Sequence, residues 1–519
     1  MKLKSLNSLL RSGVFLALLL CANSLPAAVT YRELFRPQFH FTPSTNWMND
    51  PNGMVFYDGE YHLFYQFNPF GDKWGHMSWG HAVSRDLVRW EHLPIALHEE
   101  NDVMIFSGSA IVDWKNTSGF GRDGEPPMVA IYTGHYTKKT LQNQHLAYSN
   151  DKGRTWTKYA GNPVLDLGEK DFRDPKVFWH EPTHRWVMAV SWPTHRKVRF
   201  YASLNLKDWT HLSDFGPAGS TTGIWECPDL FPLRVEGKRG TEKWALIVNV
   251  GSGAPAGGSG CQYFVGDFDG RQFTSVRATN EPTLWADWGR DFYAAVSWSD
   301  IPKRDGRRLW LGWMSNWEYA NDVPTSPWRS AMSLPRELIL RETPDGLRLV
   351  QQPVRELEKL RGKRHRLKKA TLVEANAWLA RLKPASDLLE INVEFEPVPA
   401  AGELGLRIIT GAGETTAIRY QATQGRLSLD RTRSGNVNFH PKFSGIHEAP
   451  ARLTDGRLRL RLFLDTSSLE VFAAGGETVL TDLILPASGS RRLEVFAEPH
   501  SAGPRLRSME VWEIRSAWR

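Results

Sequence analysis

Helical periodicity is nearly missing from this 519-residue sequence. Between about Phe39 and Pro335 no stretch spaces its apolar residues like an amphipathic helix. Apolar runs are short and broken by Gly, Asp, Asn and Pro, which excludes a helical bundle. Cysteine is scarce: Cys21, Cys227 and Cys261 are the whole complement. That excludes a disulfide scaffold; in an exported protein Cys227 and Cys261 could pair, but without framework spacing they read as free buried thiols. A strong charge of one sign is also absent. The chain has 64 Lys+Arg against 57 Asp+Glu, a net +7. Lys2, Lys4 and Arg11 supply three of these charges, leaving +4 on the remainder. The arginines alternate with leucine, as in Leu458 to Leu462, instead of clustering, which argues against a nucleic-acid partner. Nor is any apolar run long enough to span a bilayer. Val14 to Leu20 is short, follows a basic start and precedes Pro26-Ala27-Ala28. This is the three-part pattern of a signal peptide over residues 1–28, and implies export to the periplasm or beyond the cell. Leu20 before Cys21 is too large for a lipoprotein signal.

Aromatic residues are plentiful instead, at 12% with 22 Trp. They suit large β cores, and the flat apolar faces of some also suit stacking on sugar rings. The strand-rich region repeats. A polar residue opens an apolar run at Asp50-Pro-Asn-Gly, Ser107-Gly-Ser-Ala, Asp174-Pro-Lys-Val, Glu226-Cys-Pro-Asp and Asp291-Phe-Tyr-Ala, at intervals of 57, 67, 52 and 65 residues. Ser84-Arg-Asp-Leu-Val-Arg-Trp90, Ser149-Asn-Asp-Lys-Gly-Arg-Thr-Trp156 and Ser203-Leu-Asn-Leu-Lys-Asp-Trp209 echo one another between them. Five units of about four strands predict a five-bladed β-propeller over residues 29–343. A charged linker with a short helix at Val354 to Arg361 is expected over 344–371. Clean alternation then predicts a β-sandwich over 372–519. The fold expected is all-β.

The chemistry concentrates at strand starts. Trp47-Met-Asn-Asp50-Pro-Asn-Gly53 runs into two β-rich segments around Asp58-Gly59, a hairpin signal that puts Asp50 at the mouth of a buried strand. A carboxylate there is costly unless paired or used. In a propeller the innermost strands line a central funnel, so Asp50, Asp174 and Glu226 can converge. Glycosidic bonds are cleaved by two carboxyl groups, one nucleophilic and one protonated. Asp50, among Asn49, Asn52 and turn amides, reads as the ionised member. Glu226, between Trp225 and Cys227-Pro228, reads as the acid raised by apolar neighbours. Arg173 should keep Asp174 charged, suiting it to hydrogen-bond sugar hydroxyls as charge develops. Each acid taken alone is more often a turn or an ion-pair partner. The three in this order are the signal. The acids do not alternate with His at ligand spacing, so no metal or other cofactor is expected, and His62, His76 and His81 read as structural.

The sequence resembles glycoside hydrolase family 32, the β-fructofuranosidases. The resemblance covers almost the whole chain after residue 28. It rests on the Trp47–Gly53 heptapeptide, Tyr61–Gln66, Trp79–Ser84, Phe106–Ser109, Arg173–Pro175 and Glu226–Pro228, and on Leu469–Phe472 and Thr481–Ile484 downstream. It implies Asp50 as nucleophile, Glu226 as acid/base and Asp174 as transition-state stabiliser. By the same resemblance Asn49, Gln66, Trp74, Phe106, Ser107 and Arg173 would bind the terminal fructose, with Trp47, Tyr293 and Trp313 as further wall residues. The family retains configuration, which implies carboxyl groups of Asp50 and Glu226 about 5–5.5 Å apart. Gln66 to His81 resembles the exo-acting levanase and inulinase branch, implying fructan or sucrose as substrate with levan first. An intact Asn49 favours hydrolysis over transfructosylation. An inverting arabinanase-type propeller and a non-catalytic sugar-binding propeller are the competing readings.

Overall fold

In the computed structural model of the protein, residues 30–278, 281–382, 384, 386–396, 402–411, 413–498 and 505–518 are described. The expected signal peptide, 1–28, lies outside them. Residues 46–353 fold into five antiparallel sheets, and residues 361–514 into two more. This is an all-β fold, a propeller followed by a sandwich.

Each propeller sheet is a meander whose first strand is innermost. These inner strands are Asn46–Tyr57, Val103–Val112, Arg173–His180, Trp225–Arg234 and Tyr293–Ser297. Each lies against the next, and the fifth returns to the first, so the strands make a ring. Parallel pairing of Asn46 and Trp47 with Trp328 and Arg329 ties the first sheet to the last segment of the ring. Local sequence accounts for the turns. Asp58 and Gly59 both have positive φ, +48° and +84°, as a two-residue hairpin turn with right-handed strand twist requires. The three echoed segments each turn from the third to the fourth strand of a sheet. Asp86 accepts from the amides of Val88 and Arg89, Asp151 from that of Thr155, and Asn205 from those of Lys207 and Asp208. A short polar side chain that caps its own turn is the reason for the repeat.

Eight of the 22 tryptophans are buried, and most of the others pack half-buried against the core. Trp47, Trp79, Trp225, Trp298, Trp310 and Trp313 are fully buried. Packing between neighbouring sheets is aromatic, as where Trp79 of the first sheet meets Tyr132 of the second at 6.0 Å.

Residues 344–371, expected as a linker, are mostly paired. Gly346–Pro353 is the outer strand of the fifth sheet, against Arg336–Thr343. The expected helix is a 3₁₀ turn, Arg355–Leu360, that buries Leu357 and Leu360. Arg361–Thr371 is an edge strand of the sandwich, against Arg505–Ile514. Its basic residues look like a linker because an exposed edge carries charge; Arg364 and His365 in fact pair with Glu510 and Glu513. Leu372–Arg381, expected to begin the sandwich strands, is an α-helix, started by a capping box between Thr371 and Glu374.

Buried ions join the two layers. His40 sits between Asp465 at 2.7 Å and Glu470 at 3.0 Å. Arg336 bridges Asp287 at 3.0 Å and Glu470 at 2.7 Å, and donates to Thr481. Asp291, the fifth strand-start residue, accepts from Arg431 and from the Leu483 amide, so it faces the sandwich and not the funnel. The Leu469–Phe472 and Thr481–Ile484 segments thus carry much of the clamp.

Candidate active site

One device builds the site. In all five inner strands the pairing register slips near the start, so that two residues oppose one on the neighbouring strand. The doubled pairs are Asn49-Asp50, Phe106-Ser107, Asp174-Pro175, Cys227-Pro228 and Ala294-Ala295. A bulge redirects side chains that plain alternation would send to opposite faces. Asp174, Cys227 and Ala294 adopt positive φ there, at +65°, +44° and +51°. Gly53 follows the first bulge at φ +54°, and a Cβ on it would come within 2.7 Å of the Phe64 and Trp79 rings.

These bulges open on a cavity of about 630 Å³. Asp50, Asp174 and Glu226, from three different sheets, all line it. Asn49, Gln66, Trp74, Phe106, Ser107 and Arg173 line it too, as expected from the sequence. Asp50 and Asp174 lie deep, 9% and 6% exposed, whereas Trp74 is 41% exposed at the rim.

Asp50 is held at both oxygens. Asn49 Nδ2 donates to Oδ1 at 2.9 Å and Ser107 Oγ to Oδ2 at 2.8 Å. Cys227 Sγ also reaches Oδ2, at 3.5 Å. Burial pushes the Asp50 carboxyl upward, opposed by the Asn49 bond, reinforced by the charge of Glu226 and opposed again by Ser107. The polar setting expected from the sequence exists, but burial outweighs it. Asp174 accepts from the Cys227 amide at 2.9 Å. Burial pushes it up to about 7, against the pull of Arg173 and with the charges of Glu226 and Asp50 adding to the rise. Burial thus opposes the permanent charge expected of Asp174, with Arg173 pulling the other way through its charge while its hydrogen bonds go to other groups. Arg173 Nε donates to Glu226 Oε1 at 2.9 Å, and Nη1 to Gln142 and Asp171, each at 3.0 Å.

The expected apolar cradle of Glu226 is absent too. Its neighbour Trp225 turns away and donates to the Ser220 carbonyl at 2.8 Å. Glu226 meets polar groups instead, Arg173 on one oxygen and the donating Tyr293 hydroxyl on the other.

Three expected wall residues stand behind the cavity. Trp47, Tyr293 and Trp313 are fully buried and do not line it. Trp47 Nε1 donates to Asn49 Oδ1 at 2.7 Å, and its ring packs on Trp313 at 6.0 Å. This orients the amide that holds Asp50. The wall itself includes Trp317, His135, Gln142 and Asp171, which the sequence reading missed. His135 stacks on Phe106 at 4.5 Å. Only Asp171 had a local signal, two residues before Arg173; the others arrive from second and third strands or loops.

Cys227 and Cys261 are both free and buried. They lie on the first and third strands of one sheet, Cys227 in the bulge after Glu226 and Cys261 paired with Asn249 on the strand between. Two strand spacings, about 10 Å, exceed the reach of a disulfide.

The N-terminal domain model of glycosyl hydrolases family 32 matches residues 40–353, and the C-terminal one residues 356–513. The chain belongs to glycoside hydrolase family 32. It is a glycosidase. A levanase of Bacillus subtilis is 52% identical over 97% of this chain and 74% of its own length. An extracellular exo-inulinase of Aspergillus ficuum is 40% identical over 95% of this chain and 96% of its own. The crystal structure of an exo-inulinase from Aspergillus awamori superposes with a TM-score of 0.86 at 36% identity, covering 94% of this chain and all of that one. Among the described residues, no helix of this family 32 member is long and apolar enough to cross a membrane.

Proposed function

We propose that the protein is an exo-acting, retaining fructosidase that releases terminal β-fructofuranosyl units from levan or inulin, and from sucrose. The observation that carries this reading is the meeting of Asp50, Asp174 and Glu226, from three sheets, deep in one cavity. The similarity to a levanase and to exo-inulinases supports the substrate class.

Asp50 attacks the anomeric carbon while Glu226 protonates the departing oxygen, leaving fructose esterified to Asp50. Water then displaces Asp50, with Glu226 taking the proton. Asp50 Oδ1 accepts from the Asn49 side chain and keeps a second lone pair for attack, whereas Oδ2 accepts from both Ser107 and Cys227. Asp174 grips the ring hydroxyls as positive charge grows at the anomeric carbon. Arg173 and Tyr293 hold the two Glu226 oxygens in place for both proton transfers. The hydrogen bonds that hold Asn49 against Asp50 favour hydrolysis over transfer to another sugar. The same reading ends the catalytic domain at Pro353, begins the sandwich at Arg361, and assigns residues 1–28 to export.

Asp50→Asn and Glu226→Gln should each lower kcat/KM by on the order of 10³-fold or more. The first sugar released should be the β anomer by NMR, and fructose alone should appear from levan or inulin at early times. Wild-type rates in either variant, an inverted anomer or a ladder of oligomers would overturn this reading.

A further inference from the structure

The ring of inner strands has a second mouth. Asp50 and Tyr57 stand seven residues apart on one strand, roughly 23 Å at strand rise. At the Tyr57 end the same strands enclose a cavity of about 930 Å³, larger than the catalytic one. Every sheet of the ring contributes: Tyr57, Val112, Phe178, Asp229 and Asp300 come from the first to the fifth in turn.

The walls are aromatic. Trp114 is 60% exposed, although large apolar side chains in this protein are otherwise mostly buried. It is also fixed: its Nε1 donates to Asp300 Oδ1 at 2.9 Å, and its ring meets Tyr57 edge-on at 5.6 Å. Trp179 packs edge-on against Trp186 at 5.2 Å to form a second wall. Deeper in, Asp229 is fully buried. Its Oδ2 faces Lys176 at 3.3 Å and accepts the Ser297 amide at 2.6 Å, but Oδ1 has no hydrogen-bond partner. That buried oxygen is closed off from the cavity and is no part of its accessible lining. Four cationic side chains in the lining face five acidic ones, so neither a polyanion nor a metal ion is favoured. A rigidly held, exposed indole at Trp114 and balanced charge describe a site for a neutral polyhydroxylated ring. A C–H face would stack on the indole while hydroxyls meet the polar and charged side chains of the lining.

We propose that this cavity is a second, non-catalytic sugar site that holds a fructan chain; the choice of fructan rests on the function proposed above. It would keep polymer near the enzyme while chain ends are consumed at the other mouth.

The test is electrophoresis of the inactive Asp50→Asn protein through gels containing levan, inulin or dextran. Adding Trp114→Ala should weaken retardation by levan or inulin on the order of ten-fold. Trp114→Ala alone should leave sucrose hydrolysis unchanged and raise KM for the polymer. Retardation equal to that of the parent, or retardation by dextran only, would overturn the inference. Should Trp114→Ala also lose sucrose hydrolysis, Trp179→Ala decides by the same readouts. A wild-type protein that releases no fructose from sucrose refutes the proposed function; one that does, with retardation untouched by Trp114→Ala, refutes this site alone.

Discussion

Replacing Asp174 by Asn should make the protein more stable above neutral pH while crippling it. Asp174 is pushed from 3.8 to about 7 by burial and by the charges of Glu226 and Asp50, against the pull of Arg173. Below pH 4 it is protonated in both folded and unfolded chains and carries no penalty. Between pH 4 and 7 the folded chain holds a proton that the unfolded chain has released, so stability falls as pH rises through this window and then levels off. A shift of about three units is on the order of 4 kcal/mol. Asn removes the charge and keeps the shape. Its side-chain oxygen can still accept from the Cys227 amide, and Asn tolerates the φ of +65° at this position. A cooperative unit of this length melts with an entropy near 1 kcal/mol/K, so the full effect is about 4 °C in Tm. Scanning calorimetry of both proteins from pH 4 to 8 should show curves that coincide near pH 4, diverge progressively up to about pH 7 and keep a constant gap above it, with the variant higher. A difference that does not change with pH, or a variant that melts lower at pH 8, would refute the argument. Such a gain at the expense of activity is what a strained, charged site implies.

Three further outcomes follow from other contacts. Burial opposes the charge on His40, but its bonds to Asp465 and Glu470 outweigh this and raise it to about 9. The resulting stability, about 3 kcal/mol, is complete below pH 6.5 and is lost as pH rises through 9; His40→Gln should flatten that alkaline decline in a urea titration, and an unchanged pH profile would contradict it. Gly53→Ala should cost about 2–4 kcal/mol, because the new Cβ meets Phe64 and Trp79 at a φ of +54°; an unchanged urea midpoint would show that the rings can yield. Trp47→Phe removes the donor to Asn49 Oδ1 without emptying the core. It should lower kcat/KM roughly ten-fold with little change in Tm, and an equal loss of stability and rate would mean that Trp47 only packs.

The catalytic candidates were legible because the heptapeptide, Arg173-Asp174-Pro175 and Glu226-Cys-Pro228 are each local in the chain. The expected environments were less so. Glu226 was assigned an apolar setting from Trp225 and Cys227, but adjacent strand residues point to opposite faces, and its true partners are Arg173 and Tyr293, 53 and 67 residues away. Trp47 and Trp313 read as pocket wall, since composition cannot distinguish an indole that lines a cavity from one that stands behind it. Residues 344–371 read as a linker because the charged edge of a sheet has the composition of a loop. The helix at Leu372–Arg381 had a visible signal, the Thr371-x-x-Glu374 box, that the strand alternation around it obscured.

The sequence by itself determined the strand-and-turn grammar, the repeat, the order of the acids and the family. Those depend on neighbouring residues, through turn chemistry and alternation. Tertiary structure alone decided which side chains meet. Five register slips aim the start of each inner strand at a common axis, and this brings Asp50, Asp174 and Glu226 close enough to shift one another's protons. Burial and charge act through space, so no spacing along the chain could have shown that the Asp174 carboxyl is pushed upward.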